Sequence, residues 1–110
     1  ETIRVRSLLG RFLEHSRVYA FANGGADEVL IGSADLMHRN LDRRVEVLVP
    51  IEVPAHIARI KEFLAFAAAD TTASWRLDSN GTWRRVKRDG SGMLLADYQE
   101  TLVARNRTKS

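Results

Sequence analysis

The feature that most limits the fold of this chain is a pair of short apolar segments separated by a strong turn signal. Residues 18–22 and 29–31 are apolar at nearly every position, and Tyr19 and Phe21 add the β propensity of aromatic side chains. Between them stands Asn-Gly-Gly at residues 23–25, and both residue types tolerate a positive φ. This pattern predicts a β-hairpin within a sheet covered on both faces, with residues 18–22 as a buried central strand.

Shorter patterns on either side of this hairpin predict further strands and a first helix. Residues 3–6 alternate apolar with basic side chains, which is typical of a short, half-buried strand. Ser7 is predicted to cap a short helix that ends near His15. Residues 44–49 alternate again and predict another strand, which Pro50 is expected to end.

The second half of the chain contains two predicted helices. Pro54 suits the first turn of a helix over residues 54–69, with apolar side chains on one face and polar ones opposite. Residues 71–92 lose this periodicity and are predicted to form a basic irregular stretch, and a terminal helix is predicted over residues 93–104. With a sheet and site region over residues 1–50, these segments indicate an α/β chain with a mixed β-sheet flanked by helices. In the helix predicted over residues 54–69, the apolar face carries Ile57, Ile60, Leu64 and Ala67, and the opposite face carries His56, Arg59 and Glu62.

Composition narrows the functional classes. The chain has no cysteine, which excludes a disulfide scaffold, a cysteine metal site and a cysteine nucleophile. No apolar run approaches the roughly 20 residues that span a bilayer, and the first residues lack the basic start and apolar core of a signal peptide. We therefore expect a cytoplasmic location and, because no initiator methionine is present, a chain cut from a longer one.

Positive charge is concentrated in the second half of the chain. The net charge is +3, made up of −1 over residues 1–55 and +4 over residues 56–110. The densest part holds Arg76, Arg84, Arg85, Lys87 and Arg88 against Asp78 alone. Such a stretch is either an anion-binding surface or a solvated loop. Trp75 and Trp83 beside it either stack on bases or tether the loop to a core.

His15 is the first candidate for chemistry. It stands between the predicted first helix and the first apolar strand, and strand ends in α/β proteins are where ligand sites gather. An imidazole can bind phosphate, shuttle protons or attack phosphorus. The alternative is a structural role, in which the His15 cation favours the C-terminal end of the helix dipole.

A second candidate cluster follows the next apolar strand. Gly32 and Ser33 leave room for an anion to approach the backbone, and guanidinium groups suit phosphate because their planar fork donates two parallel hydrogen bonds. The guanidinium groups nearby belong to Arg39, Arg43 and Arg44, with Asn40 as a neutral donor. The alternative is an ordinary ionic lattice with Asp35, Asp42 and Glu46. His38 and His56 are weaker candidates, and the three histidines show no metal-ligand spacing.

Several of these segments resemble the last domain of the bacterial polyphosphate kinases that form a phosphohistidine intermediate. The matching strings are Phe-Leu-Glu-His-Ser-Arg-Val-Tyr at residues 12–19, Asn-Gly-Gly at 23–25, Ile-Gly-Ser-Ala-Asp-Leu-Met at 31–37, Arg-Asn-Leu-Asp at 39–42 and Arg-Val-Glu-Val at 44–47. The match is specific over residues 3–51 and weak after residue 71. Leu36 stands where the family often has tryptophan.

The same segment is similar to one half of the phospholipase D superfamily pattern, in which a His-x-Lys motif precedes Gly-Ser. Arg17 replaces the lysine here, and Ala22 or Asn23 stands where the superfamily has aspartate. The resemblance implies a phospholipase D-like fold and an incomplete part of a larger domain. The two replacements favour the kinase over a hydrolase.

The kinase resemblance implies an ATP–polyphosphate phosphotransferase that moves the terminal phosphate of ATP onto polyphosphate, reversibly and with Mg²⁺. It implies that residues 1–110 are the C-terminal segment of the last of four domains. The phosphohistidine and the magnesium ligands are then expected outside these residues. His15 matches the family's second essential histidine, which contacts the nucleotide and assists proton transfer. Arg44 matches an arginine near the phosphates, and Arg39 is a further candidate for phosphate binding.

The resemblance also implies partners. These are ATP or ADP, polyphosphate, the remaining domains of the same polypeptide and a second copy in a homo-oligomer; no nucleic acid is expected, and peripheral membrane association stays open. Two alternatives remain, a phospholipase D-like phosphodiesterase half-site at His15 and a non-catalytic module that binds polyanions through residues 84–88. The isolated chain is predicted to lack kinase activity because the phosphorylated histidine is absent.

Overall fold

The computed structural model describes residues 3–33 and 47–108. The chain divides into two compact units, a mid-chain unit (residues 14–62) and a two-segment unit (residues 1–13 and 63–110). Each contains a three-stranded sheet, so the α/β class is confirmed, with the strands shared between two antiparallel sheets. The elements are β1 (Val5–Ser7), β2 (Val18–Phe21), a 3₁₀ turn (Asn23–Gly25), β3 (Glu28–Gly32), β4 (Leu48–Ile51), α1 (Pro54–Ala68), β5 (Ser74–Leu77), β6 (Trp83–Val86) and α2 (Tyr98–Thr108).

The predicted hairpin forms the first part of the mid-chain sheet. Strands β2 and β3 pair antiparallel, from Val18 opposite Ile31 to Phe21 opposite Glu28. The turn between them has positive φ angles of 46° at Asn23 and 65° at Gly24, a conformation that these residue types adopt at low cost. The Asn-Gly-Gly signal is therefore confirmed.

The position of β2 within its sheet differs from the prediction. The strand order is β2-β3-β4, so β3 is central and β2 lies at an edge. Val29 on β3 is 1% exposed and is the one buried apolar side chain among residues 3–33 and 47–108, whereas Phe21 on β2 is 54% exposed. An all-apolar run predicts a strand but not the position of that strand in the sheet. Here β3 is central because β4, a later segment of the chain, pairs with β3 and not with β2.

Strand β4 continues through the proline that was expected to end it. Pro50 lies opposite Leu30, and pairing extends to Ile51 opposite Val29. β4 is an edge strand, where the missing N–H of proline costs little because one side of the strand needs no ladder partner. Residues 44–46, the predicted start of this strand, lie outside the described residues.

Helix α1 confirms the prediction over residues 54–69 to within one residue. The carbonyl oxygen of Val53 accepts hydrogen bonds from the backbone N–H groups of His56 and Ile57, each at 3.0 Å. Pro54 at the first helical position has no N–H that would need a partner. Of the predicted apolar face, Ile57, Ile60 and Ala67 are half-buried, but Leu64 is exposed. The predicted polar residues His56, Arg59 and Glu62 are exposed.

The two-segment unit contains a sheet where an irregular stretch was predicted. Residues 71–92 hold the antiparallel hairpin β5–β6, and β1 adds to the other side of β5 to give the order β1-β5-β6. The Oδ1 atom of Asp78 accepts hydrogen bonds from the N–H groups of Asn80 at 2.9 Å and Thr82 at 3.0 Å, which closes the turn. The prediction was wrong because each strand is only four residues long, and on β6 the adjacent Arg84 and Arg85 interrupt the alternation that usually marks a β-strand.

No helix follows β1, which corrects the prediction for Ser7 and the residues after it. Ser7 is the last residue of β1 and lies opposite Trp75, so it is not a helix cap. The segment from residue 8 to residue 17 is irregular. His15 therefore lies in an extended loop before β2 and not at a helix C-terminus, which removes the helix-dipole role considered for it.

The terminal helix begins at Tyr98, five residues later than the predicted start at residue 93. Asp97 caps it, because its Oδ1 atom accepts a hydrogen bond from the N–H of Glu100 at 2.9 Å. Residues 93–96 are extended instead, and Leu95 donates its N–H to the carbonyl of Lys87 at 2.9 Å. The Asp-x-x-Glu pattern at 97–100 was the signal that places this start.

Aromatic packing joins α2 to the end of α1. The Tyr98 ring lies edge-on to Phe63 with centroids 5.7 Å apart, and its centroid lies 5.4 Å from that of Phe66. Thr72 and Ser74 are buried nearby in sequence, and the Thr72 hydroxyl donates to the carbonyl of Phe66 at 2.6 Å. Phe66 and Tyr98 are half-buried and Phe63 is exposed, so these contacts form a partly covered aromatic cluster within the two-segment unit.

Candidate functional site

His15 lies at the open end of the β2–β3 hairpin. The register places Val18 opposite Ile31, so the start of β2 and the end of β3 lie side by side, and the N–H of Gly32 donates to the carbonyl of Arg17 at 3.2 Å. The exposed side chain of His15 belongs to a shallow, open depression at this end, the His15 depression. It is lined by His15, Ser16, Arg17, Val18, Ile31, Gly32, Ser33, Val47 and Val49.

The Gly32-Ser33 pair lines this depression, but the backbone of the next segment takes the space that glycine leaves. A Cβ atom at Gly32 would overlap the carbonyl oxygen of Val47. The N–H of Ser33 donates to that same carbonyl at 3.0 Å, and the N–H of Val47 donates to Ser33 Oγ at 3.2 Å. The glycine therefore permits close packing of protein backbone, which corrects the interpretation that it leaves room for an anion.

The His15 depression combines an imidazole with a guanidinium. Arg17 is half-buried, and its Nη1 atom donates to the carbonyl of Ser16 at 3.4 Å. An imidazole donates or accepts one hydrogen bond at each ring nitrogen, and a guanidinium presents a planar fork to phosphate oxygens. The apolar side chains of Val18, Ile31 and Val49 flank these polar groups, so the site has the chemistry to hold the phosphate of a ligand at its polar end.

The predicted phosphate-binding arginines cannot be placed in this site. Arg39 and Arg44 lie in residues 34–46, outside the described residues, as do Arg43, Asn40, His38 and Leu36. Both arginines flank the described site in sequence, since residue 33 and residue 47 line the His15 depression. Their role in phosphate binding stays a prediction.

The described residues do not form a metal centre. Within residues 3–33 and 47–108, no three histidine, aspartate or glutamate side chains come together as ligands for a metal ion. His56 lies exposed on the polar side of α1, as predicted. The expected magnesium site stays a prediction, and the described side chains do not fit one. Within the same described residues, neither helix has the length and apolar content to cross a membrane.

The basic stretch of residues 84–88 is not one surface. Arg84 and Arg85 are consecutive residues of β6 and therefore point to opposite faces of the sheet. Arg85 lies over the ring of Trp75, with 5.9 Å between its Cζ atom and the ring centroid. Arg88 donates from Nη1 to the carbonyl of Gly92 at 2.8 Å. These residues are neighbours in sequence, but strand alternation separates them.

Comparison with solved structures defines the class of protein. The fold resembles the crystal structure of polyphosphate kinase from Porphyromonas gingivalis, with a TM-score of 0.79 and 33% sequence identity. The match covers 96% of this chain and 16% of that chain. The structure is thus similar to one segment of a much larger kinase.

Sequence comparison gives the family. The family model described as polyphosphate kinase C-terminal domain 2 matches residues 1–96, and the chain belongs to this family. It is 54% identical over 109 residues to the polyphosphate kinase of Streptomyces coelicolor, which is 99% of this chain and 15% of the relative. It is 47% identical over 89 residues to polyphosphate kinase 1 of Chlorobaculum tepidum, which is 81% of this chain and 13% of the relative. The resemblance found from residues 12–47 is confirmed.

Proposed function

We propose that this chain is part of an ATP–polyphosphate phosphotransferase, which reversibly transfers the terminal phosphate of ATP to polyphosphate through a phosphohistidine outside these residues. The observation that carries the proposal is the exposed His15 in the His15 depression, at the open end of the β2–β3 hairpin. His15 lies within the string that resembles the kinase family. The relatives named polyphosphate kinase support it. The chain spans 15% and 13% of their lengths, so the transfer needs the rest of the polypeptide.

His15 is proposed to assist the transfer without becoming phosphorylated itself. Phosphoryl transfer needs mainly alignment and compensation of charge. As the bond from the γ-phosphorus to the bridging oxygen of ATP breaks, negative charge moves onto that oxygen. An imidazole N–H of His15 donates a hydrogen bond to the nucleotide phosphates and stabilises this charge. Its exposure leaves it accessible to a nucleotide.

Arg44 and Arg39 are proposed to hold non-bridging phosphate oxygens. Bidentate guanidinium–phosphate hydrogen bonds fix the orientation of the phosphate as well as its charge. Glu46 follows Arg44 by two residues and is proposed to orient its guanidinium. These three residues lie outside the described residues, and the proposal for them rests on the family strings at 39–42 and 44–47.

Mg²⁺ is proposed as the cofactor, held by residues outside this chain. When bound, it would neutralise charge on the phosphates that are transferred. The described residues supply no cluster of ligands for it, so no role in metal binding is assigned to His15 or to any other described side chain.

The proposed partners follow from the same assignment. They are ATP or ADP, polyphosphate, the remaining domains of the polypeptide and a second copy of the kinase, in the cytoplasm. The alternative of a phosphodiesterase is less well supported, because Arg17 replaces the lysine of the phospholipase D pattern and Ala22 or Asn23 replaces its aspartate. The named relatives are polyphosphate kinases.

The test is His15→Ala in the intact kinase that contains this chain, with His56→Ala as the matched control. His56 has the same chemistry and is also exposed, but it lies on α1 and outside the His15 depression. Removal of a catalytic hydrogen-bond donor lowers kcat by about 10²–10³-fold. We expect such a loss of ATP-dependent polyphosphate synthesis for His15→Ala and normal synthesis for His56→Ala.

Two measurements complete this test. Hydrogen exchange over residues 18–32 checks that the β2–β3 hairpin is intact in both variants. Near-normal turnover of His15→Ala would contradict the role of His15. Phosphodiester cleavage by the intact protein, lost in His15→Ala, would instead support the phospholipase D alternative.

A further inference from the structure

Three arginines lie side by side across the sheet of the two-segment unit. Arg6 on β1 is opposite Arg76 on β5, and Arg76 is opposite Arg84 on β6. Directly opposed residues of antiparallel strands share a face, with Cβ atoms about 4.5–5.5 Å apart. Like charges in such positions destabilise a sheet, so this row of three needs a compensating partner. We call Arg6, Arg76 and Arg84 the arginine row.

One carboxylate compensates part of this charge. Asp70 Oδ1 lies 2.5 Å from Arg6 Nη2 and 3.9 Å from Arg76 Nη1. Backbone carbonyls orient the same two guanidinium groups, because Arg6 Nη1 donates to Ala69 at 3.1 Å and Arg76 Nη2 donates to Asp70 at 3.0 Å. Arg6 and Arg76 are therefore held in place, and they share a single carboxylate.

The rest of the charge on this face is not balanced. Arg4, Arg6, Arg76 and Arg84 line one groove, with Asp70 and Asp78 as its acidic groups. Asp78 already accepts the N–H groups of Asn80 and Thr82. Arg84 is exposed and makes no ion pair among residues 3–33 and 47–108. The groove thus carries two more positive than negative charges.

We propose that this groove binds an extended chain of phosphates. The ligand is polyphosphate, and this choice of ligand rests on the proposed function. Polyphosphate contacts the two-segment unit through Arg4 and the arginine row. Regularly spaced guanidinium groups across neighbouring strands match a ligand with repeated negative charges, whereas one phosphate would compensate only one or two of them. Arg6 and Arg76 form the preorganised floor of the groove, and the exposed Arg4 and Arg84 supply the charges that the ligand neutralises.

A nucleic acid fits this face less well. Its bases would need aromatic side chains on which to stack beside the arginines. Trp75 and Trp83 alternate with Arg76 and Arg84 along β5 and β6, so they lie on the opposite face of the sheet. None of the residues that line the groove is aromatic. A polyanion without bases is therefore favoured.

The test is Arg4→Gln/Arg84→Gln in the intact kinase, with Arg85→Gln/Arg88→Gln as the control. Both double variants remove two positive charges, but Arg85 lies on the other face of β6 and neither control residue lines the groove. Arg6 and Arg76 are left unchanged because their loss would also disrupt the contacts with Asp70. Hydrogen exchange over residues 74–86 checks that the β5–β6 hairpin is intact.

Calorimetry with short-chain polyphosphate at several salt concentrations gives the affinity, and steady-state assays give KM for polyphosphate and for ATP. For Arg4→Gln/Arg84→Gln we expect at least tenfold weaker polyphosphate binding, a correspondingly higher KM for polyphosphate and an unchanged KM for ATP. The slope of log K against log salt should become shallower by about one per arginine removed. The control variant should keep at least half of the wild-type affinity.

Three results would overturn the inference. Equal losses in the two double variants would show that total charge, and not this groove, governs binding. Wild-type affinity in Arg4→Gln/Arg84→Gln would place the polyphosphate site elsewhere, and equally tight groove binding of a single-stranded oligonucleotide would contradict selection of a phosphate chain. A wild-type kinase without ATP–polyphosphate transfer would instead contradict the proposed function, so the two failures are distinct.

Discussion

The side chain of Gln99 forms a pair of hydrogen bonds with the backbone of Phe12. The N–H of Phe12 donates to Gln99 Oε1 at 3.0 Å, and Gln99 Nε2 donates to the carbonyl of Phe12 at 2.8 Å. The Gln99 amide therefore pairs with both backbone hydrogen-bonding groups of Phe12, as the backbone of a neighbouring β-strand would. It anchors the irregular segment after β1 to the first turn of α2. A Cβ atom at Gly10 would overlap the Gln99 amide, so the glycine at this position makes the contact possible.

Gln99→Ala is expected to release Phe12. Each exposed hydrogen bond contributes a net of about 0.5–1.5 kcal/mol, so the loss of two should make local opening easier by about 1–3 kcal/mol. Hydrogen exchange at the Phe12 amide measures this as an increase in rate of roughly 5-fold to 150-fold. Gln99→Glu keeps the acceptor for the Phe12 N–H but loses the donor, and its rate should be intermediate. Equal exchange in wild type and Gln99→Ala would show that other contacts hold the segment.

Gly32→Ala is expected to disrupt the end of β3. The added methyl group would overlap the carbonyl of Val47, and relief of such overpacking costs about 1–3 kcal/mol. Hydrogen exchange at the backbone amides of residues 32 and 33 should become faster, because the N–H of Ser33 loses its hydrogen bond to the carbonyl of Val47. Gly90→Ala is the control, because no atom lies within 4 Å of the corresponding Cβ position and its φ is not positive. Similar behaviour of the two variants would contradict the close approach at Gly32.

Asp97→Ala is expected to fray the start of α2. Loss of an N-cap side chain costs about 1 kcal/mol, because the N–H of Glu100 then has no carboxylate acceptor. Asp97→Asn retains an oxygen that caps equally well and should behave like wild type. Hydrogen exchange at residues 100–102 measures the difference. If Asp97→Asn frays as much as Asp97→Ala, then charge at this end of the helix matters more than the cap.

The Arg6–Asp70 pair is expected to add a pH dependence to stability. The hydrogen bond from Arg6, and then its charge, lower the pKa of Asp70 below the ordinary value of 3.8. A carboxylate with a lower pKa in the folded state stabilises the fold above its unfolded pKa, and this contribution disappears as the pH falls through the folded pKa. As the pH falls below 3.8, the free energy of unfolding should therefore decrease less for Asp70→Asn than for wild type. Because Asp70 is 74% exposed, the effect should weaken in high salt.

An NMR titration of the Asp70 carboxyl carbon checks this directly. The midpoint should lie below 3.8 in wild type and move up in Arg6→Gln. An unchanged midpoint in Arg6→Gln would show that the neighbouring Arg76 or Arg4, and not Arg6, sets the pKa. The same titration with polyphosphate present reports whether the groove charges respond to a bound polyanion.

The features that the sequence predicted correctly are those that depend on neighbours along the chain. The turn at residues 23–25, the β2–β3 hairpin and helix α1 follow from local φ preferences, short-range pairing and helical periodicity. The family could also be identified from residues 12–47, because a motif is recognised from the order of residues along the chain and does not depend on how the chain packs. His15 was chosen in the same way, as a candidate next to an apolar strand, and its role stays a prediction.

The sequence by itself thus determined the α/β class, the first hairpin, helix α1 and the family. Only the tertiary structure decided that β3 and not β2 is central, that Gly32 makes room for Val47, and that β5 and β6 form a hairpin. It alone placed Arg6 beside Arg76 and Arg84. The physical reason is that strand order and register arise from pairing between distant segments, and local periodicity does not encode which strands will pair.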